Sequence, residues 1–199
     1  MVSNKKLKIF ILLFSLVSAM FSYYVWQIFK TPNFNVKGQS FAILIPKGSN
    51  FNQVLDSLDK HDVVRDKLSF RFLAKVFNYP ARVKPGRYLI YETTGNWELI
   101  RKLRNGSQDA LKITFSNIRL KEDLAGKLGR QLAYDSVTIY RLLDSSSIVE
   151  PLGFSKETIP CLFIPDTYEV FWTISFEDFL TKMKKYMNFL YLKRLNEVL

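Results

Sequence analysis

The stretch LKIFILLFSLVSAMFSYYVWQIF, residues 7–29, decides the fold class of this chain. Its only charged residue is Lys8, which lies at the edge of the stretch. An α-helix of this length is about 35 Å long, enough to cross a hydrocarbon core of about 30 Å. Tyr23, Tyr24 and Trp26 gather at one end, where amphipathic rings favour the membrane interface. The stretch therefore predicts a transmembrane anchor over residues 7–29.

Two other interpretations of the same stretch stay open. A cleaved signal peptide would have its cleavage site at Val17-Ser18-Ala19, but the chain should then turn polar, whereas the apolar run continues to Phe29. A helix of a soluble protein is disfavoured because the stretch has no polar face. The anchor explains both the length and the composition.

Lysines flanking the anchor predict its orientation. Lys5, Lys6 and Lys8 lie on the short N-terminal flank, whereas Lys30 is a single charge on the other side. Positively charged flanks stay in the cytoplasm. Residues 1–6 are therefore expected inside the cytoplasm and the remainder of the chain outside it.

The rest of the chain has the composition of a folded, basic protein. The sequence contains 17 Phe, 10 Tyr and 3 Trp, enough to build a core, and its net charge is +11. Such a charge predicts an anionic neighbourhood, such as phospholipid headgroups or an acidic wall polymer. Nucleic acid is disfavoured as a partner by the predicted topology and because no C2H2, RNP-like or basic-helix pattern occurs.

Cysteine and histidine are too scarce for several kinds of site. Cys161 is the only cysteine, so no internal disulfide can form, and we expect it to be a small buried hydrophobic residue. His61 is the only histidine, so neither a Ser-His-Asp triad nor a histidine-rich zinc site can be built. The sequence therefore predicts no metal and no cofactor.

After a short polar linker over residues 30–40, the pattern over residues 41–109 predicts the order β-α-α-β-α. Asn50-x-x-Gln53 resembles a capping box at the start of the first of these helices. The second helix is marked by Leu68, Phe72 and Val76, which repeat every four residues. The predicted elements are a strand over 41–45, helices from 51 and over 66–77, a strand over 87–91, and a helix that ends at Asn105-Gly106.

A second unit is predicted over residues 110–199. It opens with a half-buried strand over 111–115, where apolar and polar residues alternate. Two helices are expected before residue 144, and residues 145–160 are expected to form a loop. The last helix is capped by Ser175-x-x-Asp178 and keeps its apolar periodicity to the end of the sequence.

Three motifs together resemble the YceG-like family of endolytic murein transglycosylases. FAILIPKGSNFNQVLDSLDKHDVV (41–64) is similar to the family's LysM-like opening block. VKPGRYLI (83–90) followed by NWELIRKLRNG (96–106) is similar to the block after it. The third motif lies in IPDTYEVFW (164–172), where Pro165-Asp166-Thr167-Tyr168 matches the family's core FPDTY motif.

The resemblance implies an α+β fold with three parts: one transmembrane helix, a LysM-like β-α-α-β subdomain, and the start of a mixed α/β catalytic domain. The C-terminal part of the family's catalytic domain would be absent. The implied activity is cleavage of peptidoglycan glycan strands to 1,6-anhydro ends, at the bacterial cytoplasmic membrane. The implied partners are the glycan strands, membrane lipid and proteins of cell-wall synthesis.

The resemblance also implies a catalytic glutamate five residues before the motif's proline, but this sequence has Pro160 there. Glu169 and Glu157 are the nearby substitutes, and Glu169 is preferred because aromatic and aliphatic neighbours could raise its pKa. A surface carboxylate or a structural ion pair is the other interpretation of Glu169. Without a working acid, the chain would be a non-catalytic, membrane-anchored glycan-binding or scaffold module.

The remaining motif residues have two interpretations each. Asp166 and Thr167 are typical of a turn and cap pairing, or they orient the acid and contact sugar hydroxyls. Tyr168 and Trp172 either pack in the core or stack on a sugar ring.

Overall fold

The apolar stretch forms one continuous helix, α1, which spans Asn4–Lys30. The structure is a computed structural model that describes residues 4–116, 118 and 120–198. Within that part of the chain, α1 is the one helix that is long and apolar enough to cross a membrane. Large apolar side chains along it, such as Phe10, Phe14 and Met20, are exposed.

The described chain divides into two units, each with its own hydrophobic core. Unit 1 comprises residues 1–84 and 88–107, and unit 2 comprises 85–87 and 108–199. After α1, the order of elements is the predicted β-α-α-β-α, and the two strands form one sheet. These elements are β1 (Phe41–Ile45), α2 (Phe51–Lys60), α3 (Lys67–Val76), β2 (Gly86–Ile90) and α4 (Asn96–Asn105).

Local signals explain where the helices of unit 1 begin and end. The predicted capping box is confirmed: Gln53 N donates to Asn50 Oδ1 at 3.0 Å, and Asn50 N donates to Gln53 Oε1 at 2.8 Å. Asp66 caps α3 by accepting from two backbone amides. Helix α4 ends at Gly106, whose φ of 74° is a left-handed conformation that glycine adopts without strain.

The stretch predicted as a polar linker, residues 30–40, contributes to the core of unit 1. Phe34 is fully buried, and its ring meets the Phe70 ring edge-on at 6.0 Å. Asn35 N donates to Val63 O at 2.7 Å, and Arg65 N donates to Asn33 O at 2.9 Å. The chain therefore enters unit 1 directly after α1.

Asn33, Ser69 and Asn96 form a buried hydrogen-bond cluster where α1 ends. Asn33 Nδ2 donates to Asn96 Oδ1 and to Asp66 O, both at 2.8 Å, and Asp66 N donates to Asn33 Oδ1 at 2.7 Å. Asn96 Nδ2 donates to Ser69 Oγ at 2.9 Å and to Ile28 O, in α1, at 3.3 Å. The cluster thereby joins α1, α3 and α4.

Helix α3 buries a different face from the one that marks it in the sequence. Its buried residues are Ser69, Phe70, Leu73 and Ala74. The apolar row at every fourth position, which predicted the helix, is exposed to solvent.

Unit 2 combines a two-stranded sheet with helices of very different length. Its elements are β3 (Leu111–Thr114), α5 (Lys121–Gly129), α6 (Ser136–Leu143), α7 (Ser146–Val149), β4 (Thr167–Val170) and α8 (Phe176–Val198). The predicted loop over 145–160 is wrong, because α7 and two 3₁₀ turns occupy much of it. Val149 and Ile159 are fully buried there. Their burial in the core stabilises these short helical turns, although the sequence of the segment has no clear helical periodicity.

We expect Asn33→Ala to destabilise unit 1 by roughly 2–4 kcal/mol, because Asn96 Oδ1 and Asp66 N lose their partner inside the protein. The measurement is denaturant unfolding of the full chain in detergent, followed by circular dichroism. Asn35→Ala is the matched control, since Asn35 is exposed. Equal unfolding of the two variants would contradict a structural role for the cluster.

Candidate functional site

The PDTY motif leads into β4, with Thr167 and Tyr168 as its first two residues, and β4 pairs with β3 in antiparallel orientation. The register pairs Leu111 with Val170, Lys112 with Glu169, Ile113 with Tyr168, and Thr114 with Thr167. Side chains alternate between the faces of a strand. Tyr168 and Val170 are therefore buried, whereas Thr167 and Glu169 are exposed. We call β3 and β4 together the motif ribbon.

Asp166 connects the motif ribbon to α8. Its carboxylate accepts hydrogen bonds from the Tyr186 hydroxyl and from Thr167 N, the latter at 2.6 Å. These bonds, that of Tyr186 above all, hold the pKa of Asp166 below its ordinary value. Asp166 O accepts from Phe115 N at 2.8 Å and so continues the pairing with β3. This geometry fits the turn and cap interpretation of Asp166.

Thr167 and Tyr168 are also held by the structure. The Thr167 and Thr114 hydroxyls are 2.8 Å apart across the ribbon. Tyr168 lies 5.5 Å from the Phe115 ring and 4.8 Å from the Tyr186 ring, between ring centroids. Its hydroxyl donates to Ile164 O at 2.9 Å, and burial raises its pKa to about 12. Tyr168 therefore packs in the core and has no free face for a sugar.

Glu169 lies on the exposed face of the motif ribbon. Its side chain is 64% exposed, and its carboxylate is 3.6 Å from Lys112 Nζ. The Glu169 carbonyl accepts a hydrogen bond from Lys182. Because Tyr168 and Val170 point to the opposite face, the apolar neighbours in sequence do not surround this carboxylate. The role of Glu169 as an acid stays a prediction.

The second candidate acid, Glu157, lies in the segment before the motif. Its carboxylate accepts from Ser155 Oγ at 2.6 Å, and this bond lowers its pKa. Pro160 lies in the 3₁₀ turn Ile159–Leu162. The expectation that Cys161 is buried is wrong: it is exposed, because it lies on the outer side of this turn.

Beyond β4, the chain presents a partly exposed aromatic pair. Phe171 is 50% exposed, while Trp172 is half-buried against the core of unit 2, and its carbonyl accepts from Ala133 N at 3.1 Å. Trp172 thus keeps part of its ring at the surface. In the described residues, no group of three or more His, Cys, Asp or Glu is placed to hold a metal ion.

Sequence reasoning missed the basic and hydroxyl groups that surround the motif. Lys112 lies opposite Glu169 only because of the strand register, and β4 pairs with a strand more than fifty residues earlier in the chain. Lys182 and Tyr186 come from α8. Tyr186 lies seven residues after Phe179, so helical periodicity on the buried face of α8 could have identified it.

The family model that matches this chain is that of the YceG-like family, over residues 43–197. Among solved structures, a crystal structure of a YceG-like protein from Listeria monocytogenes is similar, with 17% identity and a TM-score of 0.38. The match covers 81% of this chain and 59% of that chain, so the present sequence spans less than two thirds of that protein. No curated protein matches the chain.

We expect Tyr186→Phe to lower the unfolding temperature at pH 7 but not at acid pH. The lowered pKa of Asp166 stabilises the fold above the ordinary carboxyl pKa of about 3.9, and this stabilisation is lost as the pH falls through the folded-state value. Unfolding temperatures across this pH range test the expectation.

Tyr191→Phe is the control for this pH series, because Tyr191 is an exposed tyrosine of the same helix. It should unfold like the parent protein at every pH. A Tyr186→Phe deficit of constant size at all pH values would mean that packing, rather than the carboxylate, is responsible.

Proposed function

The chain belongs to the YceG-like family, and from this membership we propose that it is a membrane-anchored lytic transglycosylase. It cleaves the glycan strands of peptidoglycan within the strand and leaves 1,6-anhydro ends. The observation that carries the proposal is the family match over residues 43–197, which runs from β1 in unit 1 to α8 in unit 2 and includes the PDTY motif.

The chemistry of such an enzyme requires one carboxylic acid in a suitable environment. The acid protonates the glycosidic oxygen, and the 6-hydroxyl of the sugar attacks its own anomeric carbon, so the bond breaks without water. The same group then acts as the base that takes the hydroxyl proton. It must be protonated near neutral pH, which an apolar and dry environment favours.

Glu169 is the acid that we propose among the residues near the motif. Asp166 and Glu157 are less suitable because their carboxylates already accept hydrogen bonds from Tyr186 and Ser155, which also lower their pKa values. The Glu169 carboxylate lies 3.6 Å from Lys112 Nζ on the exposed face of the motif ribbon. A glycan strand over the exposed face of the motif ribbon would need to displace Lys112 and exclude water before Glu169 could donate a proton.

A second function, a non-catalytic glycan-binding or scaffold module, is favoured by the geometry around Pro160 and Glu169. Proline cannot donate a proton at the position where the family's motif has glutamate. Glu169 lies in an exposed ion pair, which is typical of a surface carboxylate. In this alternative, Lys112 and the partly exposed Trp172 would contact the glycan without cleaving it.

We place the protein in the bacterial cytoplasmic membrane, with α1 as a single span and residues 31–199 outside the cytoplasm. The length and apolar surface of α1 support the span. The three lysines before the apolar segment support the orientation. Membrane lipid, glycan strands and proteins of cell-wall synthesis are the partners that this location implies.

Incubation of the full chain, in detergent, with uncross-linked glycan strands should yield 1,6-anhydro-ended products in mass spectra. Glu169→Gln should lower the rate by at least about 100-fold, because general acid catalysis contributes roughly 10²–10⁴-fold. Stability should change little, since an exposed ion pair contributes about 0–1 kcal/mol.

Glu177→Gln serves as the matched control, because Glu177 is an exposed glutamate in the first turn of α8. It should leave the rate unchanged. Products that persist in Glu169→Gln would assign the acid to another residue. Glycan binding without any products would favour the non-catalytic module.

A reporter enzyme that is active only outside the cytoplasm, fused after Leu199, should be active in intact cells. Replacing Lys5, Lys6 and Lys8 by Gln should lower this activity several-fold, because Lys30 then becomes the dominant flanking charge. Activity of a cytosol-specific reporter at the same position would exclude contact with peptidoglycan.

A further inference from the structure

Helix α3 carries an exposed apolar row that the core of unit 1 does not use. Leu68, Phe72 and Val76 are 81%, 60% and 56% exposed. Their spacing of four residues places them along one side of the helix, so they form a continuous strip. Exposed apolar patches of this kind mark interaction surfaces.

The row lies beside the end of α1. Leu68 and Phe72 share a cavity of about 330 Å³ with Tyr24 and Ile28 of α1. Leu68 and Phe72 therefore lie beside the last turns of the helix that we propose as the membrane span.

The end of α1 is attached to unit 1 by contacts that fix the position of the row. Asn96 Nδ2 donates to Ile28 O at 3.3 Å. Phe29 packs edge-on against Phe77 at 5.9 Å, and Phe77 lies 4.3 Å from Trp97. A side chain at Gly95 would place its Cβ 3.2 Å from Phe29 O, so the backbones also lie close together. Helix α3 is thus held next to α1 rather than on a flexible tether.

The position of the row along α1 sets its depth in a bilayer. A span needs about 20 residues. Counted from Leu7, such a span ends near Trp26, which places Tyr24 and Ile28 at the membrane–water interface. Leu68 and Phe72 are at the same level, because they line one cavity with those two residues.

Basic residues accompany the row. Lys67, Arg71 and Lys75 each precede one residue of the row and form an adjacent strip on α3. Lys67 and Arg71 also lie 3.0 Å and 3.4 Å from Asp59. An apolar strip beside a basic strip is typical of helices that lie in an anionic membrane interface, since lysine and arginine can reach the headgroups.

We propose that α3 is an interfacial helix, which inserts Leu68, Phe72 and Val76 into the non-cytoplasmic face of the bilayer. This inference rests on the proposed anchoring by α1. It gives unit 1 two attachments to the membrane, one through the span and one along α3. The occupant of the exposed row is lipid, and the continuity of the row with α1 and the adjacent positive charges support this choice.

The test uses the full chain in anionic phosphatidylglycerol and phosphatidylethanolamine vesicles. Cys161→Ser removes the only cysteine, and single cysteines then replace Leu68, Phe72 or Leu16 for labelling with an environment-sensitive fluorophore. Leu44→Cys is the matched control, because Leu44 is an exposed leucine of β1. Lipids with a nitroxide near the headgroup serve as the quencher for positions 44, 68 and 72, and lipids with a nitroxide deep in the acyl chain serve as the quencher for position 16.

Labels at positions 68 and 72 should be quenched about threefold more strongly than the label at 44. An interfacial helix inserts its apolar face about 5–10 Å into the boundary between the lipid headgroups and the acyl chains. Quenching at Leu16 but not at 68 and 72 would overturn the interfacial helix and leave the anchor intact. Absence of quenching at Leu16 would overturn the anchor as well. Shielding of 68 and 72 from aqueous iodide without lipid quenching would mean that a second copy or another protein covers the row.

Discussion

The contact between the Asn33 and Asn96 side chains, 2.8 Å long and buried, is the interaction on which the arrangement of unit 1 depends. A buried amide is costly unless its donors and acceptors are satisfied, and here each partner comes from a different element. Asn33 follows α1, and Asn96 opens α4 and reaches back to Ile28 O. Because these hydrogen bonds are directional, they fix the direction in which α1 extends from the core of unit 1. The exposed row of α3 then has a fixed position beside α1.

A comparable constraint operates in unit 2, where strand pairing separates the motif residues. The register places Tyr168 and Val170 in the core and Glu169 outside it. The residues that are closest to Glu169 in sequence are therefore not its environment. Lys112, brought there by the register, lies 3.6 Å from the carboxylate of Glu169. The ribbon itself therefore provides no apolar environment for this carboxylate.

The sequence predicted those parts of the fold that depend on local interactions. The capping box of α2 involves residues three apart, and the glycine that ends α4 adopts its conformation by itself, so both were identified. The alternation over β3 was also identified, and the resemblance to the YceG-like family was confirmed by the family match. What could not be predicted depends on distant pairing: the burial of Asn33, Phe34 and Val36, and strand β4, whose partner lies far away in the sequence. The ring of Tyr168 is buried for the same reason.

Helix α3 shows why periodicity alone does not identify a core. A repeat of four residues predicts a helix with an apolar side, and it does not specify whether protein or lipid covers that side. In α3, Phe70, Leu73 and Ala74 pack in the core, so the exposed row is not needed for the core of unit 1. A soluble protein would gain nothing from leaving Leu68 and Phe72 in water, where their hydration is unfavourable. Beside a transmembrane helix the same residues are useful, because inserting them into the bilayer removes apolar surface from water without any protein partner. The interfacial helix that we propose would therefore give the exposed row and the apolar stretch of α1 the same environment, the lipid bilayer.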